Sequence, residues 1–259
     1  MNKYKKIFKE VYSDLGKFSL PYTVDIKRFC YSLKLLDCNG LIEGKCILDL
    51  GSGVGIMAIA FSRLGARVTG IDKFIFPSVG ENPYRVSDFK KLEQIWQDSG
   101  VQIIEGDIID KPLPFADQSF DVVNFDATIE HLVESPKQLF GEVHRVLKPG
   151  GIFLVTTPNL ANLLRRIRFV FGLTPYWDIK DYFESYPHFT GHRREFTVYE
   201  LRSMLEWSSF KVTEVKTANI FFEVKRFVVP RKFIGQLCNT LSLPFPDMRE
   251  MIYMLAKKT

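Results

Sequence analysis

The chain has 259 residues, of which 46% are hydrophobic, and carries 35 basic against 30 acidic side chains for a formal charge of +5. That apolar fraction supplies a full core and excludes a disordered chain, and so mild and dispersed a charge gives no sign of a nucleic-acid partner. The cysteines Cys30, Cys38, Cys46 and Cys238 have no C-x-x-C spacing, and no run reaches the roughly 18 apolar residues of a spanning helix, so a disulfide framework and a membrane span are excluded and a cytoplasmic location is expected.

In chain order, residues near 2–16 and 22–38 read as amphipathic helices, with Phe8, Val11, Tyr12 and Leu15 on one face of the first and Ile26, Phe29, Cys30, Leu33 and Leu36 on one face of the second. A buried strand at 45–50 then runs into Gly51, Gly53 and Gly55, where the backbone must turn sharply and let a ligand lie against it. Met57, Ala58, Ala60, Phe61 and Leu64 give the next helix an apolar face and Gly65 closes it. Ala66 to Ile71 form a second strand with Asp72 at its carboxyl end, where a carboxylate accepts two hydrogen bonds from a ribose diol. This order builds a nucleotide pocket. Strands follow near 101–105, 120–125, 151–156, 210–217 and 249–256, with helices near 86–98, 138–147, 159–171 and 197–207. Such alternation predicts an α/β fold with a doubly wound parallel sheet.

The glycine spacing narrows the ligand. A dinucleotide turn reads G-x-G-x-x-G, whereas here the run is Asp49-Leu-Gly51-Ser52-Gly53-Val-Gly55, with the third glycine one residue early. This run resembles the first motif of class I S-adenosylmethionine-dependent methyltransferases. Four later stretches resemble the same family in order: Ile103-Ile-Glu-Gly-Asp107-Ile108, Leu113-Pro-Phe with Phe120-Asp-Val-Val, Thr128-Ile-Glu130-His131-Leu, and Leu147-Lys-Pro-Gly-Gly151. The Glu130-His131 pair is similar to that of the type 11 and 23, ubiquinone-biosynthesis-like members. The resemblance is strong over about residues 45–160 and looser beyond, where Gly191-His-Arg-Arg-Glu-Phe-Thr197 is similar to a segment that precedes the last helix in many relatives.

The resemblance implies a Rossmann-like, mostly parallel seven-stranded sheet with an antiparallel last strand, in a single domain over 1–259. Within it, 1–40 would be helices capping the site, 41–157 the cofactor core, 158–196 an acceptor-side insert, and 197–259 a closing helix and antiparallel strand pair. The implied cofactor is S-adenosyl-L-methionine, giving S-adenosyl-L-homocysteine. Its expected contacts are Asp49, Gly51, Ser52, Gly53, Gly55, Asp72 on the ribose, Lys73, Asp107 on the adenine amino group, Ile108 over the ring, Asp126 and His131.

Two long segments bear on the acceptor. Residues 74–84 interrupt the compact family pattern, either as a lid over the cofactor or as a surface excursion. Residues 158–195 are rich in aromatic and titratable groups at the carboxyl end of the sheet, where α/β folds hold substrate. Tyr176, Trp177, Tyr186, His188 and Arg193 are the candidate acceptor contacts, with an aromatic mini-core as the structural alternative. Within this segment Leu160, Leu163, Leu164, Ile167, Val170 and Phe171 recur at helical spacing opposite Arg165, Arg166 and Arg168. Such a stripe ordinarily packs on its own domain with solvated arginines; the other reading is peripheral contact of 159–171 with an anionic bilayer.

If the acceptor is a hydroxyl, a base must remove its proton, and His192 is ranked above His131 for that role. Glu130 and His131 belong to no spaced ligand set, so no metal is expected. The expected activity is O-methylation of a sugar, glycan or lipid-linked intermediate, since the Thr157-Pro-Asn turn, the arginine-bearing helix and Gly191–Thr197 look like methyltransferases found with surface-polysaccharide biosynthesis. A quinone or small phenol is the rival acceptor. From other classes, a non-catalytic cofactor-binding module and a nicotinamide oxidoreductase remain open, as does the oligomeric state.

Overall fold

Continuous runs of buried side chains along the central strands, with apolar helices between them, set the architecture. The computed structural model describes residues 2–73, 86–109, 111–176, 179–185, 189, 191–220, 237 and 240–259. In chain order the elements are α1 (Asn2–Leu15), a 3-10 segment (Gly16–Asp25), α2 (Ile26–Cys38), β1 (Cys46–Leu50), α3 (Ile56–Arg63), β2 (Arg67–Asp72), α4 (Val86–Asp98), β3 (Val101–Glu105) and β4 (Phe120–Asp126). A 3-10 turn (Ile129–His131), α5 (Lys137–Val146), β5 (Leu147–Pro158), α6 (Leu163–Val170), α7 (Ile179–Glu184), α8 (Val198–Trp207), β6 (Phe210–Ala218), a 3-10 turn (Pro246–Met248) and β7 (Met251–Lys258) follow.

The seven strands form one sheet in the order β3-β2-β1-β4-β5-β7-β6. Pairs β1–β2, β1–β4, β2–β3 and β4–β5 are parallel, and β7 runs antiparallel to both β5 and β6. The chain winds outward through β1, β2 and β3 and then returns to place β4 on the other side of β1. That reversal opens a crevice at the carboxyl ends of β1 and β4, the usual ligand position in such sheets.

Successive strand residues point to opposite faces. Ile47, Val68, Val122, Leu154 and Tyr253 join one core with Phe8 and Val11 of α1, Leu33 of α2, Phe61 of α3 and Trp96 of α4. Leu48, Leu50, Val123, Phe125, Phe153 and Met254 join the other with Phe140 of α5 and Leu201 of α8. Both faces are therefore covered, as a parallel sheet requires. The expected fold class is the observed one.

Boundaries differ where local chemistry intervenes. The helix expected from residue 22 begins at Ile26, preceded by a 3-10 segment that contains Pro21, whose ring and missing N–H disfavour an α-helical interior. The helix expected from 159 begins at Leu163, because the Asn162 side chain caps it by accepting from the Arg165 amide at 3.1 Å. Strand β5 begins at Leu147 rather than 151 and carries Gly150 at φ +74°, with an irregularity opposite Phe120 and Val122. The insert at 74–84 lies outside the described residues. Among the described residues no helix is long and apolar enough to cross a membrane.

Candidate active site

Gly51, Gly53 and Gly55 all take the left-handed conformation, with φ of 68°, 53° and 90°. The loop they form is held from below: the Gly51 and Ser52 amides donate to the Ile71 carbonyl at 2.9 and 3.2 Å, and the Gly53 amide donates to Asp72 Oδ2 at 2.9 Å. Trp96 Nε1 adds a buried bond to the Val54 carbonyl at 2.9 Å. Space around the loop is tight. A Cβ on Gly51 would lie 2.6 Å from the Thr128 side chain, and one on Gly55 2.7 Å from Ile103. The glycines therefore serve both the turn and its packing.

The expected acidic residues gather at the same sheet end. Asp72 closes β2, Lys73 pairs with Asp107, and Asp107 Oδ1 accepts from the Ile109 amide at 2.9 Å. Ile108 is buried in the core. Asp49 stands apart from them, because it is buried and its Oδ1 accepts from Asn124 Nδ2 at 2.7 Å, which ties β1 to β4. Burial pushes its pKa up to about 7, against the Asn124 bond and with help from Asp126 and Asp72. With the folded value above the ordinary one, the stability this carboxyl lends is full at acid pH and is lost as pH rises from about 4 to 7. Asp49→Asn should flatten that part of the stability profile in denaturation measured across pH; an unchanged slope would contradict the assignment.

Asp126, at the end of β4, meets a partner from the N-terminal helices. Arg28 of α2 is buried, donates through Nη1 to Asp126 Oδ1, reaches Asp25 at 3.3 Å through Nε, and lies over the Phe29 ring at 4.4 Å. Thr156 of β5 donates to the same Asp126 oxygen. Burial alone would lower the Arg28 pKa, but Asp126 and Asp25 raise it overall. Asp126 Oδ2 and Ser52 Oγ are buried with no hydrogen-bond partner among the described residues. Buried polar atoms of this kind ordinarily find one, so each is suited to a ligand.

One turn beyond β4 lies a second polar group. Glu130 is buried and accepts from Thr157 Oγ1 at 3.2 Å, and burial pushes its pKa up to about 8, with Arg28 and Thr157 opposing the shift. His131 is exposed. His192 lies edge-on to it, with ring centroids 4.9 Å apart at 86°. The segment carrying His192 is docked here by its backbone: the Arg193 amide donates to the Glu130 carbonyl at 2.7 Å, and Asn159 and Phe196 form a parallel bridge. A capping box between Thr197 and Glu200 then starts α8. His192 Nδ1 lies 2.5 Å from Glu195 Oε1, which also accepts from Arg165 Nη2 at 2.8 Å. Burial, with His131, Arg165 and Arg28 nearby, pushes the His192 pKa down to about 3. A neutral ring of this kind is a weak proton acceptor at neutral pH.

The structure thus brings together His131 and His192, and it gathers Gly51 to Gly55, Asp72, Lys73, Asp107 and Asp126 along one sheet end. Tyr176 is exposed, as is Arg193 beyond its backbone bond, and Trp177, Tyr186 and His188 lie outside the described residues. Arg165 is a correction: it turns inward to Glu195 rather than joining a solvated face. The expected packing of the 159–171 stripe is corrected in part: Leu160, Leu163 and Leu164 are half-buried, whereas Ile167, Val170 and Phe171 are exposed. Arg28 and Thr156 lie outside the sequence motifs, and Thr157 and Glu195 lie inside them without an assigned role; all four surround this group.

Residues 48–155 match the family model described as a methyltransferase domain. The chain is 34% identical over 128 residues to a ubiquinone biosynthesis O-methyltransferase of Pseudomonas putida, covering 48% of this chain and 49% of that protein. It is 31% identical over 120 residues to a ubiquinone/menaquinone biosynthesis C-methyltransferase of Escherichia fergusonii, covering 46% and 45%. The chain therefore spans about half the length of the curated relatives it matches. Among solved structures it resembles an S-adenosylmethionine-dependent methyltransferase from Mesorhizobium loti (TM-score 0.56, 18% identity, 89% of this chain and 100% of that one). It also resembles the Burkholderia thailandensis 1,6-didemethyltoxoflavin-N1-methyltransferase (TM-score 0.56, 17% identity, 98% and 87%). The glycine turn, the carboxylates on β2 and β4 and the 3-2-1-4-5-7-6 sheet lie in or around residues 48–155 and accord with that match to a methyltransferase domain.

Proposed function

We propose that the chain is an S-adenosylmethionine-dependent methyltransferase that modifies a hydroxyl oxygen on an acceptor carried at a membrane surface. The observation that carries the cofactor reading is the Gly53 amide bound to Asp72 within a turn of three left-handed glycines. Asp72, Asp107 and Asp126 set carboxylates along that sheet end. They suit a ligand with a sulfonium, an ammonium and a ribose diol, and they disfavour a pyrophosphate. Asp72 would take the ribose, Asp107 and Ile108 the adenine, and the Gly51–Gly55 turn and Asp126 the remainder. Bound S-adenosylmethionine supplies an electrophilic methyl group; the chain supplies alignment and a dry crevice.

The acceptor reading rests on the surface beside the site. Phe169, Val170, Phe171, Ile179 and Phe183 are each at least 70% exposed and stand among Arg166, Arg168 and Lys180. Exposed apolar side chains among basic ones suit an anionic bilayer. A lipid-linked sugar or glycan would be presented there. A quinone or small phenol is the second reading, favoured by the ubiquinone-pathway names of the relatives. Phosphatidylglycerol vesicles should co-sediment the chain, phosphatidylcholine vesicles should not, and Phe169→Asp with Phe171→Asp should abolish the difference. Labelled methyl transfer to a vesicle-borne lipid-linked saccharide, set against a hydroxylated quinol, then separates the two readings. Transfer to neither, with no vesicle binding, contradicts the acceptor class.

A further inference from the structure

We propose that Glu130, His131 and His192 hold a divalent transition-metal ion. A carboxylate oxygen of Glu130 and one nitrogen from each ring all lie within 4.8 Å of one another. Two imidazoles and a carboxylate form a ligand set that zinc, iron and cobalt accept. Bonds of about 2.0–2.1 Å place tetrahedral ligands about 3.3 Å apart, so the group has to close inward by at most about 1.5 Å. His131 is exposed and has room to do so.

The surroundings distinguish this group from a chance cluster. Metal-binding histidines characteristically donate their other ring N–H to a carboxylate or a backbone carbonyl, which fixes the tautomer and the ring direction. His192 does so here: its Nδ1 lies against Glu195 Oε1, itself anchored by Arg165. We therefore assign Nε2 as the ligating nitrogen of His192. The segment Gly191–Glu195 supplies that orienting carboxylate and one ligand, and the Arg193 amide ties it to the Glu130 carbonyl at 2.7 Å. The three ligands sit on two chain segments joined by that bond.

Three protein ligands leave a further coordination position, the pattern of a catalytic rather than a structural ion. The role of that position rests on the methyl-transfer reading. An acceptor hydroxyl entering it loses its proton to water, and its oxygen forms the new bond to the methyl carbon. The carbon–sulfur bond breaks and its electron pair returns to sulfur. Thr128, whose side chain packs against Gly51, precedes the 3-10 turn that carries Glu130 and His131, so this group adjoins the cofactor turn.

The test is a Co2+ titration of the chelator-treated full chain, read by the visible absorption of tetrahedral cobalt, with S-adenosylhomocysteine binding measured on the same sample. The expected result is one saturable equivalent of Co2+ displaced by Zn2+. His131→Ala, an exposed substitution that leaves the core intact, should abolish saturation. Glu195→Gln should weaken Co2+ by about 10–100-fold through loss of the orienting partner, and His144→Ala should change nothing. Absence of a saturable band, or equal affinity in His131→Ala, overturns the site. A chain that binds S-adenosylhomocysteine but not Co2+ overturns the metal and leaves the methyltransferase standing; the reverse outcome supports the metal and overturns the cofactor.

Discussion

Arg28→Ala should lower the unfolding free energy by about 3–5 kcal/mol, the cost typical of removing one partner from a buried ion pair. Arg28 and Asp126 are nearly inaccessible, with side-chain exposures of 8% and 4%, so solvent does little to screen either charge. Loss of the guanidinium leaves the Asp126 carboxylate with Thr156 alone, and releases the Asp25 contact that follows the 3-10 segment. The effect reaches beyond stability. Arg28 joins α2 to the end of β4 beside the glycine turn, so the variant should also bind cofactor poorly at temperatures where it remains folded. Urea denaturation checks the first effect, and a change under 1 kcal/mol would contradict the burial argument. The double variant Arg28→Met with Asp126→Asn should recover much of the loss, because no unpaired charge then remains inside.

The second large effect is on cofactor affinity. Asp72→Ala should weaken S-adenosylhomocysteine binding by about 1–3 kcal/mol, the usual consequence of leaving buried hydrogen-bonding groups unmade. Two contributions enter. The carboxylate is the assigned ribose acceptor, and its Oδ2 also takes the Gly53 amide, so the turn itself loosens when it is removed. Asp72→Asn keeps a carbonyl oxygen for Gly53 and should recover the turn while still losing part of the ribose interaction. Calorimetry on the three proteins separates these contributions, and equal affinities would remove Asp72 from the cofactor site.

Much of this arrangement is legible in the sequence for physical reasons. β2 at Arg67–Asp72, β3 at Val101–Glu105 and α4 at Val86–Asp98 have the limits that apolar runs, flanking glycines and helical spacing indicate. The antiparallel β7 follows from family resemblance rather than from pattern, since a buried strand does not reveal its direction. Long-range pairing is what one-dimensional reading misses. Arg28 and Asp126 are 98 positions apart, and nothing near either announces the other. Arg165 and Glu195 form a similar pair across 30 positions. Periodicity in α6 identified an apolar stripe correctly but did not say which way it faces. The structure turns Arg165 inward and leaves Val170 exposed, while Leu163 and Leu164 are half-buried and Arg166 faces solvent. In the sequence His131 and His192 are separate candidate bases; their shared neighbourhood with Glu130 arises only when the segment from Gly191 docks on the turn after β4.

Calorimetric titration of the full chain with S-adenosylhomocysteine, run alongside NAD, tests the cofactor assignment most directly. The carboxylate-lined glycine turn predicts stoichiometric binding of the first, weakened in Asp72→Ala, with no heat from the second. Saturable NAD binding without a response to S-adenosylhomocysteine would contradict it.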